Sequence, residues 1–118
     1  MIRITLLTLF ALASPATAET FERLADKSTF ITLISGKSLT NRLYGVTLSV
    51  LPSGGISGEA FGRTISGDWN WQDGYFCREM VWGDRAIPYN CQLVEARGND
   101  MRFTSDQGTG DSASFRLR

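Results

Sequence analysis

The sequence predicts an all-β protein, built as an antiparallel meander of about eight short strands with one short helix before it. From residue 38 to the C-terminus, strand-forming runs recur about every 8 to 12 residues. Turn signals rich in Gly, Asp, Asn and Ser separate these runs. Several runs, such as residues 45–51, alternate apolar and polar side chains, which is typical of half-buried strands. Such a meander closes as a small barrel or a sandwich.

The first 18 residues have the organisation of a signal peptide. Arg3 provides a positive start, residues 4–13 are apolar, and Ala16-Thr17-Ala18 matches the small-x-small cleavage pattern. The apolar run is too short to span a bilayer as a helix. We therefore expect a signal peptide at residues 1–18, one domain at residues 19–118, and a periplasmic or secreted protein without a stable membrane span.

The helix is predicted at residues 28–35. Ser28 can cap its N-terminus, and Gly36 suits the position after its C-terminus. The apolar residues follow helical spacing: Phe30, Ile31, Leu33 and Ile34. A strand is the alternative for this segment, because Ile and Thr favour strands.

Eight strands are predicted after the helix, at residues 38–43, 45–51, 56–62, 63–72, 75–82, 86–96, 101–105 and 113–117. The run at residues 56–62 is rich in Gly, which suggests bulges or a barrel corner. Asp73-Gly74 suits a two-residue type I′ hairpin turn. No internal repeat, linker or charged run divides the region, so it is predicted to be a single domain.

The Asp73-Gly74 turn predicts the register of the central hairpin. Trp69 lies opposite Arg78, and Asn70 lies opposite Cys77. Directly opposed residues share a face of the sheet. The predicted inner face therefore carries Trp69, Trp71, Phe76, Arg78, Met80 and Trp82.

The two cysteines of the chain are predicted to form a disulfide, as is usual in exported proteins. A three-residue loop at residues 83–85 would pair Trp82 with Ala86 and bring Cys77 opposite Cys91 on the outer face. Pro88 would then lie opposite Met80. Its missing N–H predicts a bulge or a locally unpaired edge.

Arg78 is the unusual residue of the inner face, because a buried guanidinium needs a partner. In one interpretation it stacks on Trp69 and reaches a carboxylate or carbonyl groups at the barrel end. In the other it lines a pocket and meets an anionic group of a ligand. The second interpretation predicts a ligand site formed by Trp69, Trp71, Phe76, Arg78 and Trp82.

The segment from Gly67 to the C-terminus, with its Gly-Asp-Trp, Asp-Gly, two Cys and Gly-rich last hairpin, resembles small uncharacterised exported bacterial proteins. The resemblance covers roughly residues 27–118 and implies a lipocalin-like barrel. Some similar proteins are named dihydrodipicolinate reductase. That activity requires a Gly-rich nucleotide loop and paired His residues, and this chain has no His.

Composition excludes several further function classes. Without His, the Ser–His and Cys–His nucleophile systems and the commonest zinc ligand are absent. Residues 19–118 carry 11 basic against 12 acidic side chains, which predicts neither nucleic-acid binding nor a polybasic membrane patch. The oxygen-bearing side chains of Asp68, Asn70, Gln72 and Glu79 resemble calcium-loop spacing. Gly74 stands one position too late for such a loop, however, and a hairpin explains the whole pattern. No metal or cofactor is predicted, and no enzymatic activity.

Binding is the function that these exclusions leave. The first hypothesis is a small apolar or anionic ligand held in the mouth of the barrel. The alternative is an inhibitor-type module that binds a cell-envelope protein through exposed Tyr75, Tyr89, Asp84 and Arg85. A monomer is expected in either case.

Overall fold

The computed structural model describes Ile2 and residues 20–118. The predicted signal peptide, Ile2 apart, lies outside the described residues. The secondary-structure elements are β1 (Glu22–Arg23), α1 (Lys27–Ile34), β2 (Leu39–Asn41), β3 (Val46–Val50), β4 (Gly55–Ala60), β5 (Arg63–Gln72), β6 (Tyr75–Trp82), β7 (Arg85–Arg97), β8 (Asp100–Thr104), the helical turn α2 (Ser105–Gly108) and β9 (Ser112–Leu117). In this part of the chain, no helix is both long and apolar enough to cross a membrane.

Strands β2 to β9 form a closed antiparallel barrel of eight strands. Each strand pairs with its neighbours in sequence, and β2 pairs with β9 to close the ring. The short strand β1 adds to β7 at Ala96 and Glu95, beyond the point where β6 pairs with it. The predicted small all-β barrel is confirmed, and the sandwich alternative is wrong.

The central hairpin has the predicted bounds and register. Gln72 pairs with Tyr75, and Trp69 pairs with Arg78. Asp73 and Gly74 both have left-handed backbone angles, with φ of 52° and 84°, as a type I′ turn requires.

The N-terminal segment forms the predicted helix rather than a strand. It begins at Lys27, one residue before the prediction, and Asp26 rather than Ser28 occupies the N-cap position. Gly36, with φ of 71°, follows its C-terminus as expected.

Helix α1 closes one end of the barrel by inserting Phe30. This side chain is fully buried, and its ring centroid lies 5.1–5.3 Å from those of Trp69, Trp71 and Phe76. The ring of Phe103 lies 6.4 Å away. We call this the closed end. The connections β2–β3, β4–β5, β6–β7 and β8–β9 form the opposite, open end.

The hairpin between β6 and β7 differs from the prediction in its turn. Its loop has two residues rather than three, so Trp82 pairs with Arg85 and Met80 pairs with Ile87. A bulge between Arg78 and Met80 then inserts one extra residue on β7. The bulge includes Pro88, whose missing N–H makes regular pairing unfavourable there.

The bulge restores the predicted pairing of the cysteines. Cys77 lies opposite Cys91, with 3.9 Å between their Cα atoms, and the two form a disulfide. Cys77 is buried although it belongs to the outer face.

Two inward-facing glycines allow neighbouring strands to approach closely. A Cβ added to Gly58 would collide with the Thr47 carbonyl, and one added to Gly67 would collide with the Glu79 carbonyl. Both positions lie in strands of the barrel wall, where missing side chains permit strong coiling.

Gly67→Ala is therefore expected to lower the free energy of unfolding by about 1–3 kcal/mol, the usual range for overpacking. The matched control is Gly55→Ala, because a Cβ there would make only an ordinary contact with the Leu51 side chain. Urea denaturation of both variants measures the difference. Equal stability of the two variants would contradict the close strand contact at Gly67.

Candidate ligand-binding site

The barrel interior contains a cavity of about 160 Å³. Its floor is formed by Phe76 and Phe103, which also contact Phe30 of the closing helix. Its walls are mainly apolar and come from most strands of the barrel: Leu39, Leu48, Val50, Ile56, Met80 and Phe115. Ala113 lines the cavity and is exposed, so the cavity opens towards the open end.

Arg78 is the cation of this cavity. Strand β6 directs it inward, and the neighbouring bulge presents the Pro88 carbonyl, which accepts a 2.7 Å hydrogen bond from Nη1. Within residues 20–118, no carboxylate lies within ion-pair distance of Arg78. Burial lowers the pKa of Arg78 by desolvation of its charged form. Because the ordinary pKa of Arg lies far above neutrality, the group remains a cation.

A polar wall lies beside Arg78, on β7 and the α2 turn. Gln92 is buried, lines the cavity and donates from Nε2 to Ser105 Oγ at 3.4 Å. Asn90, which pairs with Arg78, donates from Nδ2 to Asp106 Oδ1 at 2.8 Å and accepts from the Asp106 backbone N–H at 2.9 Å. These bonds hold Asp106 in a left-handed conformation, with φ of 54°.

The structure brings two of the five predicted site residues to the cavity, Phe76 and Arg78. The three tryptophans lie outside its lining, and each indole N–H donates to a backbone carbonyl. Trp69 donates to Leu51 at 2.8 Å, Trp71 to Ala25 at 3.1 Å and Trp82 to Ala60 at 2.8 Å. These bonds join separate elements, so the tryptophans act as structural supports.

The predicted stacking of Arg78 on Trp69 is wrong, whereas the predicted carbonyl partner is confirmed. The Trp69 ring contacts Phe30 and Phe76, at centroid distances of 5.3 and 5.4 Å. Lys27 Nζ lies 5.7 Å from the same ring. Helix α1 therefore supplies contacts to Trp69 that the sequence interpretation gave to Arg78.

The polar residues of the outer face remain outside the cavity. Asp68 and Glu79 pair across β5 and β6 and are exposed. Among the described residues, no group of three or more Cys, His, Asp or Glu side chains could hold a metal ion. Of the predicted protein-binding residues, Tyr89 is 52% exposed, while Tyr75 is half-buried beneath the Arg23 guanidinium.

Sequence reasoning missed Gln92 and most of the apolar lining. Alternation along each strand could have assigned these side chains to the interior. Alternation could not have shown which part of the barrel interior helix α1 fills and which part remains a cavity.

No family model, curated protein or solved structure matches this chain.

Proposed function

We propose that this chain is an exported, non-enzymatic binding protein that holds a small amphipathic anion in the barrel cavity. The apolar part of the ligand lies against the aliphatic and aromatic walls, and its anionic group meets Arg78. The observation that carries this proposal is a cavity-lining guanidinium whose partner, among residues 20–118, is the single backbone carbonyl of Pro88. A guanidinium has five N–H donors, so Arg78 has donors left for a ligand.

The size of the cavity sets the size of the ligand. A dry cavity of about 150 Å³ lined by aliphatic and aromatic side chains binds benzene. Pockets for drug-sized molecules are larger, at about 300 Å³ and above. A cavity of about 160 Å³ therefore fits one ring or a short branched chain with a single carboxylate.

The chemistry of the lining supports binding rather than catalysis. Among its apolar groups, the wall offers the cation of Arg78, the amide of Gln92 and the thioether of Met80. These groups can orient and neutralise a carboxylate but form no nucleophile–base pair. The disulfide is compatible with an oxidising compartment, which supports the proposed periplasmic location.

Benzoate and toluene are the probes that test the proposal, because they share a ring and differ in charge. Benzoate is expected to shift NMR resonances of Phe76, Phe103 and Phe115. Arg78→Met should weaken benzoate binding roughly tenfold to a hundredfold, the value of a hydrogen bond to a charged group. The Arg78→Met variant should bind toluene with the same affinity as the unchanged protein.

The same substitution is expected to leave stability unchanged or raise it. A partly buried guanidinium without a carboxylate partner carries a desolvation cost, and an apolar side chain of similar volume removes that cost. Loss of benzoate binding in Arg78→Met is then not explained by unfolding, and a denaturation curve verifies this. The proposal fails if benzoate leaves the cavity resonances unmoved, or if Arg78→Met binds benzoate as tightly as the unchanged protein.

A further inference from the structure

Three exposed apolar side chains form a ridge at the open end of the barrel, with the half-buried Trp82 beside them. All four come from three neighbouring hairpins, β2–β3, β4–β5 and β6–β7, and we call them the aromatic ridge: Leu43, Tyr44, Phe61 and Trp82. Leu43, Phe61 and Tyr44 are 79%, 62% and 50% exposed. The ring centroids of Tyr44 and Phe61, and of Phe61 and Trp82, lie 6.3 Å apart. A contiguous exposed patch of this kind marks an interaction surface.

The backbone conformation of Phe61 is unfavourable for an aromatic residue, so its presence in the ridge does not stabilise the fold through its turn. Its φ is 50°, and Gly62 follows with φ of 74°, so the β4–β5 turn requires left-handed angles at both residues. Asn, Asp and Gly suit such a turn, whereas a bulky aromatic residue is strained there. The strained side chain is also mostly exposed and gains little from burial. Strained residues of this kind are found at functional sites, which makes Phe61 a candidate for an interaction outside the fold.

Arginines surround the aromatic ridge. Each of the three hairpins carries one, Arg42, Arg63 and Arg85, against the single acid Asp84. Arg63 ion-pairs with Asp84 at 2.6 Å, and its guanidinium lies 5.0 Å from the Trp82 ring centroid. The pairing of neighbouring strands thus brings three arginines and one acid together on these three hairpins, which is a local excess of positive charge.

We propose that the aromatic ridge docks this protein reversibly onto the surface of an anionic lipid bilayer. Hairpin tips at one end of a barrel reach a flat surface together. Aromatic and Leu side chains enter the interfacial region of a bilayer, while arginines meet lipid phosphates. The β8–β9 connection on the same rim carries Asp106 and Asp111, which anionic lipid repels, so the barrel tilts towards the other three hairpins and their arginines.

Sedimentation with lipid vesicles tests this docking. The probes are vesicles of equal parts phosphatidylglycerol and phosphatidylcholine, compared with phosphatidylcholine alone. The protein is recovered after export, with its N-terminus verified by mass. The bound fraction should be at least about fivefold higher on the anionic vesicles and should fall as salt screens the arginines. Equal binding to both vesicles would overturn the proposal.

Variants identify the surface responsible. Phe61→Asn relieves the backbone strain, so it should fold at least as well and yet lose most of the vesicle-bound fraction. Leu43→Ser should also reduce binding, and Leu51→Ser is its control, because Leu51 is 45% exposed near the closed end. Undiminished binding of Phe61→Asn would refute the assignment. So would a dimer that dissociates on this substitution while vesicle binding is absent, since the ridge would then bind a second copy.

Discussion

Phe30→Ala is expected to lower the free energy of unfolding by about 3–5 kcal/mol, the usual cost of truncating a buried Phe. The side chain is fully buried and contacts four aromatic rings from three different strands. Truncation leaves a void among rigid rings that the barrel wall cannot collapse to fill. It also removes one of the two buried side chains with which α1 packs against the barrel, so the helix should lose protection against hydrogen exchange.

Urea denaturation measures this loss. Phe61→Ala is the matched control, since it removes the same atoms from a side chain that is 62% exposed. The control should change stability by only about 0.5 kcal/mol, the usual range for surface positions. If the two variants unfold at the same urea concentration, Phe30 does not anchor the helix.

Loss of the Cys77–Cys91 disulfide is expected to destabilise the protein by about 3 kcal/mol in the chain-entropy description of a loop of this size. The cysteines are 14 residues apart in sequence. For a domain of this length, such a loss corresponds to a fall in melting temperature of roughly 12–24 °C. The effect is large compared with the total stability of a small domain.

Thermal melts of the oxidised protein, the reduced protein and the Cys77→Ala/Cys91→Ala variant measure this effect. The reduced protein and the double variant should melt at similar temperatures. Reductant should not change the melting temperature of the double variant, which controls for other actions of the reductant. An unchanged melt after reduction, with the mass showing two free thiols, would show that the disulfide adds no stability.

The sequence predicted the central hairpin accurately because its determinants are local. The Asp73-Gly74 turn sets the register, and alternation then assigns Trp69 and Phe76 to the interior. The next hairpin shows the limit of such reasoning. Its turn is one residue shorter than predicted, and a bulge near Pro88 compensates, so the cysteines pair as predicted through a different route. A bulge depends on contacts across strands, which turn signals do not encode.

The candidate site was predicted only in part, because its shape depends on distant elements. Alternation placed Arg78 and Trp69 on one inner face, and both do point inward. Helix α1 then fills the space around Trp69 with Phe30 and leaves Arg78 beside the cavity. The aromatic ridge escaped prediction for a similar reason, since Tyr44 and Phe61 belong to separate hairpins that meet only when β3 pairs with β4.

The pairing of β2 with β9 has a consequence for the order in which the barrel folds. All other barrel strands pair with neighbours in sequence, so the meander can form progressively. Leu39 can pair with β9 only after Leu117 has been synthesised, and this pairing closes the longest loop of the barrel. Its entropic cost is therefore the largest of any strand pairing in the barrel. Until β9 arrives, β2 and β8 present unpaired edges that can recruit other chains. Deletion of β9, Ser112–Leu117, should therefore convert a closed barrel into an open, aggregation-prone sheet.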